Sequence, residues 1–195
     1  MPTSILVSEH LLIEQVLNCL ERMLERCASE RKLESTPAGD AIAFFRGFTE
    51  RCHCNKEETE LLPTMRALGI SPERCLGTSM PQRREEGRLH LDAMEMVIEP
   101  AARGNPAALT KFTEHAQAYI ELLLEYIAGQ EDCLFPMILQ TLPELEKAQL
   151  RARLDPLGDS REEQLQCDTY VEIANRLADH FDVPRRVITD TPGDS

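Results

Sequence analysis

Residues 41–68 read AIAFFRGFTERCHCNKEETELLPTMRAL. Within them Ile42, Phe45, Thr49, His53, Glu57, Leu61 and Leu68 recur at the three- and four-residue spacing of one helix face. The stripe is apolar at both ends and polar in the middle, where His53 and Glu57 stand four residues apart and so one above the other. A helix over about 41–68 follows, capped by Asp40 and closed by Gly69, with a kink expected at Pro63. Buried polar groups must be paired or must bind something. This stretch therefore predicts a helix that carries chemistry into a core.

The same periodicity extends in both directions. Leu6, His10, Ile13, Leu17, Leu20 and Leu24 mark a first helix over about 4–34. Met80, Arg84, Gly87, Leu91, Met94 and Ile98 mark a third, over about 81–103. Asn105 as N-cap and Pro106 at the first helical position open a fourth, whose stripe runs through Phe112, Tyr119, Leu123, Tyr126, Gln130, Cys133 and Met137. Shorter helices follow over about 144–153 and 162–181, the second opened by a capping box at Ser160–Glu163. No β-type alternation persists and no internal repeat stands out. The expected fold is all-α: an antiparallel up-down-up-down four-helix bundle with additional C-terminal helices. Residues 1–140 would form the bundle, 141–182 an extension packing on it, and 183–195 a frayed tail.

Composition narrows the function. Among 195 residues, 34 are acidic and 21 basic, a formal net charge of -13. So acidic a chain without a basic run is a poor ligand for nucleic acid or an anionic membrane. No apolar stretch approaches a membrane span, and no export signal is visible at the start. Seven cysteines, an odd count without framework spacing, read as reduced thiols in a cytoplasm. Cys19, Cys27, Cys52, Cys54, Cys133 and Cys167 are expected as small buried hydrophobes, and Cys75, in a loop, as an exposed thiol. His90, His115 and His180 fall off the inner stripes and are expected at the surface. No nucleophile motif or phosphate-binding glycine loop occurs, and no catalytic residue is assigned.

Six polar side chains remain inside the stripes: His10, His53, Glu57, Arg84, Tyr126 and Gln130. Their spread over four helices predicts a polar chamber, the usual place for a cofactor or metal in a bundle. Two histidines and one carboxylate can form a facial set for a divalent metal such as Fe(II).

Four segments in order resemble the hemerythrin-like, HHE cation-binding family. They are Ser8–Glu14, Cys52–Pro63, Arg83–Arg88 and Tyr126–Pro136, and the resemblance covers roughly residues 5–140. It implies a bundle holding a non-haem di-iron centre that binds or senses O₂ or handles related oxidants. His10, His53 and Glu57 stand at ligand positions of that family, whereas Arg84, Tyr126 and Gln130 replace ligands. Glu131, beside Gln130, is a further candidate, and Cys54 stands at the second histidine of the family's His-His pair. Arginine keeps its proton and cannot ligate, so a di-iron centre is not expected.

The leading expectation is thus a binding or sensory protein with a degenerate di-iron site and no retained cofactor, rather than an oxygen carrier. Its partner would be an unidentified protein or small molecule, and a homodimer is compatible with the sequence. Two alternatives stay open. One is a single iron or other divalent metal at His10, His53 and Glu57, binding O₂ or NO or handling peroxide. The other is a metal-free structural or interaction module. In the leading expectation Arg84 is the internal counter-ion of Glu57, with Tyr126 and Gln130 completing its hydrogen bonds.

Overall fold

The computed structural model describes residues 1–154 and 161–186, which are all-α, with no strand among the described residues. Helix α1 spans Ser4–Glu30. One continuous helical rod follows over residues 35–67: α2 (Ser35–Phe44), a π-helical stretch π1 (Phe45–His53), α3 (Cys54–Lys56), π2 (Glu57–Leu61) and α4 (Leu62–Ala67). Then come α5 (Glu73–Leu76), α6 (Met80–Glu95) and α7 (Ile98–Ala102). A second composite rod holds α8 (Pro106–Gly129), π3 (Gln130–Leu134) and α9 (Phe135–Thr141). Helices α10 (Glu144–Leu154) and α11 (Arg161–Phe181) complete the chain.

Several boundaries differ from the sequence expectation. The second helix starts at Ser35, because Pro37 falls in the first turn, where its missing N–H is no loss. Asp40 is therefore inside α2 and not its cap, and it pairs with Arg176 of α11 at 3.0 Å. The third helix does not run unbroken to Arg103. It ends at Glu95, and α7 begins after a turn at Met96 and Val97. Asn105 caps α8 as expected, its side chain accepting from the Ala108 N–H at 3.1 Å. Ser160, the cap of the expected Ser160–Glu163 box, lies outside the described residues, as does the tail from 187 onward. At the start of the expected tail Val183 packs on the core, and the Arg186 N–H donates to Gln15 Oε1.

Pro63 and Pro136 explain two of the π stretches. A proline inside a helix donates no hydrogen bond and its ring collides with the carbonyl four residues back. Here the helix widens just ahead of each ring. The Leu62 N–H reaches the carbonyl of Glu57, and the Phe135 N–H that of Gln130, both five residues back. Such one-residue insertions change which face a side chain points from, and they concentrate at functional sites.

Two apolar clusters form the core. The larger joins the C-terminal part of α1 to α2, π1, α6, α8 and α11, with Phe44, Phe45, Phe112, Tyr119 and Leu177 deep inside. The smaller gathers Leu6, Leu61, Met65, Leu134 and Ile138 with Leu150 and Leu154 of α10. Along α1 and along both composite rods, the polar residues fall where one cluster hands over to the other.

The cysteines correct the expectation of reduced thiols. Cys52 of π1 is bonded to Cys167 of α11, and Cys75 of α5 to Cys133 of π3. Cys75 is thus not an exposed thiol, and only Cys19, Cys27 and Cys54 stay free. Each bridge sits beside a glycine that permits close approach. A Cβ on Gly47 would fall 1.9 Å from the Tyr170 ring of α11, and one on Gly129 3.0 Å from the Cys75 carbonyl. The bridged partners lie 115 and 58 residues apart, so each bond closes a long loop and removes much freedom from the unfolded chain. Replacing Cys167 by Ser should lower stability by roughly 2–4 kcal/mol in guanidinium denaturation without reductant. Unchanged stability would mean that the bridge does not form.

Candidate metal centre

Three candidates chosen from the sequence meet in space. One ligand atom each from His10, His53 and Glu57 lies within 4.8 Å of the others, and all three residues are buried. Each histidine is oriented from behind by a carboxylate. His10 Nδ1 lies 2.7 Å from Glu131 Oε1, and His53 Nδ1 lies 2.9 Å from Glu9 Oε2. These contacts turn the Nδ1 atoms outward and leave the Nε2 atoms for the interior, the arrangement that commonly orients metal-binding histidines. His53 Nε2 is 3.3 Å from Glu57 Oε1. His10 Nε2 is buried with no hydrogen-bond partner. The His10 ring is wedged against Phe135, nearly parallel at 5.8 Å, and against the edge of His53 at 4.8 Å.

Glu57 is held from the opposite rod. Tyr126 O–H donates to its Oε2 at 2.9 Å, and the Gln130 amide donates to its Oε1. The replaced ligand positions at 126 and 130 thus present hydrogen-bond donors to the carboxylate. Arg84 does not join them, which corrects the expected Arg84–Glu57 pair. It lies nearer the surface, its guanidinium donating to Glu58 Oε1 at 2.5 Å and to the Glu50 carbonyl at 2.9 Å. The adjacent carboxylates of Glu57 and Glu58 point to different faces of the rod, one inward to the two histidines and one outward to Arg84.

Charge balance inside the network follows from these contacts. Burial disfavours the His53 imidazolium, but the charges and hydrogen bonds of Glu57 and Glu9 outweigh it and raise the pKa to about 9. Burial pushes the Glu57 carboxyl up, yet His53 and the Gln130 amide hold it below its ordinary value. Glu9 behaves likewise, with burial opposed by His53 and Lys56, whose ammonium binds Glu9 Oε1. Burial lowers His10 despite its bond to Glu131. At neutral pH the metal-free chain therefore holds one buried imidazolium, on His53, between two carboxylates.

Glu9 is the site residue that the sequence reading missed. It precedes His10 and falls off the α1 stripe, yet it is 5% exposed and supports His53. A second signal was also legible. Glu57 and Gln130 lie 73 residues apart, and each stands six residues before a proline in the pattern Leu-x-Pro. The two rods repeat this local pattern although the chain has no overall repeat. Beside Glu57 and Tyr126 lies a narrow cavity of about 30 Å³, lined chiefly by apolar groups of Met80, Tyr119 and Leu123, with Thr49, Cys54 and Gly87.

The donor set fits a divalent metal. Two neutral imidazoles and a carboxylate suit such an ion, and the unpartnered His10 Nε2 is the kind of buried atom that calls for a partner.

Three outcomes follow. Tyr126→Phe should lose about 1.5–3 kcal/mol, as for a hydrogen bond to a charged group, and should couple to Glu57→Gln in a double-mutant cycle. Arg84→Met and Glu57→Gln should instead add to within about 0.5 kcal/mol; strong coupling there would restore the buried ion pair. In the metal-free chain, the raised His53 pKa gives stability that is complete below about 6.5 and is lost as pH rises through about 9. The lowered Glu9 and Glu57 give stability present above about 4.5 and lost as pH falls. Denaturation midpoints should therefore decline on the alkaline side, and His53→Gln should flatten that decline. No family model matches this chain, and neither does a curated protein or a solved structure, so its own geometry carries the functional argument.

Proposed function

We propose that this chain is a hemerythrin-like binding or sensory protein reduced to one metal ion, with a single divalent cation, Fe(II) foremost, held by His10, His53 and Glu57. The convergence of these three buried side chains, with His10 Nε2 left unpartnered, carries this reading. In it, α1, the rod over 35–67, α6, and α8 with its continuation form the antiparallel up-down-up-down bundle. Bound there, an ion with three protein ligands supplies open coordination positions for a small oxidant or diatomic ligand.

The chain's own residues do the rest. Glu131 and Glu9 fix the imidazole orientations, and Phe135 holds the His10 ring. Tyr126 and Gln130 offer Glu57 two hydrogen bonds where a second cation would otherwise balance it. That substitution argues for one ion and against two. The small cavity beside Glu57 has room for a water or a diatomic molecule and little more. A second reading, a metal-free interaction module, draws on the same network, because His53 as imidazolium already neutralises much of the Glu57 and Glu9 charge. The two disulfides favour an oxidising setting in either case.

Metal analysis of stripped protein reloaded with Fe(II) alone separates the readings. One ion per chain is expected, lost in His10→Ala and in His53→Ala and retained in Arg84→Met. The triple change Arg84→His, Tyr126→His and Gln130→Glu should raise the count to two. Two ions in the unaltered chain would overturn the single-ion reading, and none would favour the metal-free module.

A further inference from the structure

His90 and His115 lie off the inner stripes, and the structure brings them together. His90 is on α6 and His115 on α8, and their Nδ1 atoms are 3.0 Å apart. The rings are tilted at 55° with centroids 5.3 Å apart, and both residues are half-buried. The spacing is fixed by the packing beneath. On the same two helices, Leu91 and Met94 of α6 and Phe112, Ala116 and Tyr119 of α8 are buried in one apolar cluster. The two rings thus project from a rigid helix–helix seam rather than from loops.

Two imidazoles facing each other through Nδ1 can share one proton, with one nitrogen donating and the other accepting. The same two lone pairs can instead converge on a cation. Metal–nitrogen bonds of about 2.0–2.1 Å spanning 3.0 Å subtend roughly 91–97° at the ion. That angle is close to the right angle of tetragonal Cu(II) and Ni(II) and smaller than a tetrahedral one. The imidazoles must be neutral to bind. Burial and then the facing His115 lower the His90 pKa, which keeps that ring neutral at neutral pH. The Glu86 carboxylate, one turn before His90, adds negative charge nearby.

We infer that His90 and His115 form a preformed two-histidine clamp for a borderline transition-metal ion, Cu(II) foremost and Ni(II) next, on the seam between α6 and α8. This site shares no residue with the one built on His10, His53 and Glu57 and stands whether or not that one is loaded. Copper leads because imidazole sites bind it most tightly among the divalent first-row ions. Water molecules would complete the coordination, so the clamp is an exposed docking point for the ion and not an enclosed cage.

The test uses the full chain, stripped of metal and titrated with Cu²⁺ and, to avoid thiol oxidation, separately with Ni²⁺. The His53→Ala variant, in which the inner site is disabled, should still bind one ion, with nitrogen hyperfine structure from two imidazoles in the copper electron paramagnetic resonance spectrum. In that His53→Ala background, adding His90→Ala or His115→Gln should each weaken binding by at least about tenfold, a difference of about 1.4 kcal/mol. They should also abolish the metal-induced rise in Tm. Because the pair is half-buried, either variant alone suffices should the other fold poorly. Affinity unchanged in both variants, or a copper spectrum lacking two imidazole nitrogens, would overturn the clamp. Binding lost only in His53→Ala would assign the ion to the inner site and equally overturn it.

Discussion

The carboxylate of Glu57 is the group around which the rest is arranged. It is 1% exposed, and an ionised carboxylate at that depth is tolerable only when it is fully paired. Its partners come from both composite rods: His53 from its own, Tyr126 and Gln130 from the other. His53 is in turn held by Glu9 on α1, and Glu9 by Lys56. A second arm runs from His10 to Glu131. One buried charge thereby fixes the relative positions of α1 and both rods at the join between the two apolar clusters. Removing any one partner strands a polar group in a place water does not reach.

The backbone around this network is shaped by proline. Each rod widens into a π turn that starts at a network residue, Glu57 in one and Gln130 in the other, and ends just short of the Leu-Pro or Phe-Pro step. Proline's missing N–H thus sets the register in which these side chains turn inward. The disulfides reinforce the same segments. One anchors π1, which ends in His53, to α11, and the other anchors π3 to α5. Glycines at 47 and 129 let those peripheral helices approach closely enough for the bonds to form.

The metal reading and the hydrogen-bond reading of this site rest on the same atoms. A cation and a proton compete for His53 Nε2 and Glu57, and the network is nearly balanced in the protonated form. In the proposed function the Nε2 of His10, which has no partner among the described residues, is what favours a bound ion. The seam between α6 and α8 carries a separate histidine pair and so differs chemically from the interior it covers.

Hydrophobic periodicity alone determined that the chain is helical, because burial of one face every 3.6 residues is a local property of sequence. It likewise picked out His10, His53, Glu57, Tyr126 and Gln130, since a polar residue of modest length inside an apolar stripe is carried inward with it. Local periodicity could not place Arg84, whose long stem let the guanidinium leave the stripe for Glu58 and the Glu50 carbonyl. Nor could it find Glu9, which a straight-helix stripe leaves off the inward face. Cysteines 115 and 58 residues apart carry no pairing information until the helices dock. His90 and His115 likewise looked like unrelated surface residues. Tertiary structure decided those contacts, because each depends on the distance between elements remote in sequence and not on the conformation of any one of them.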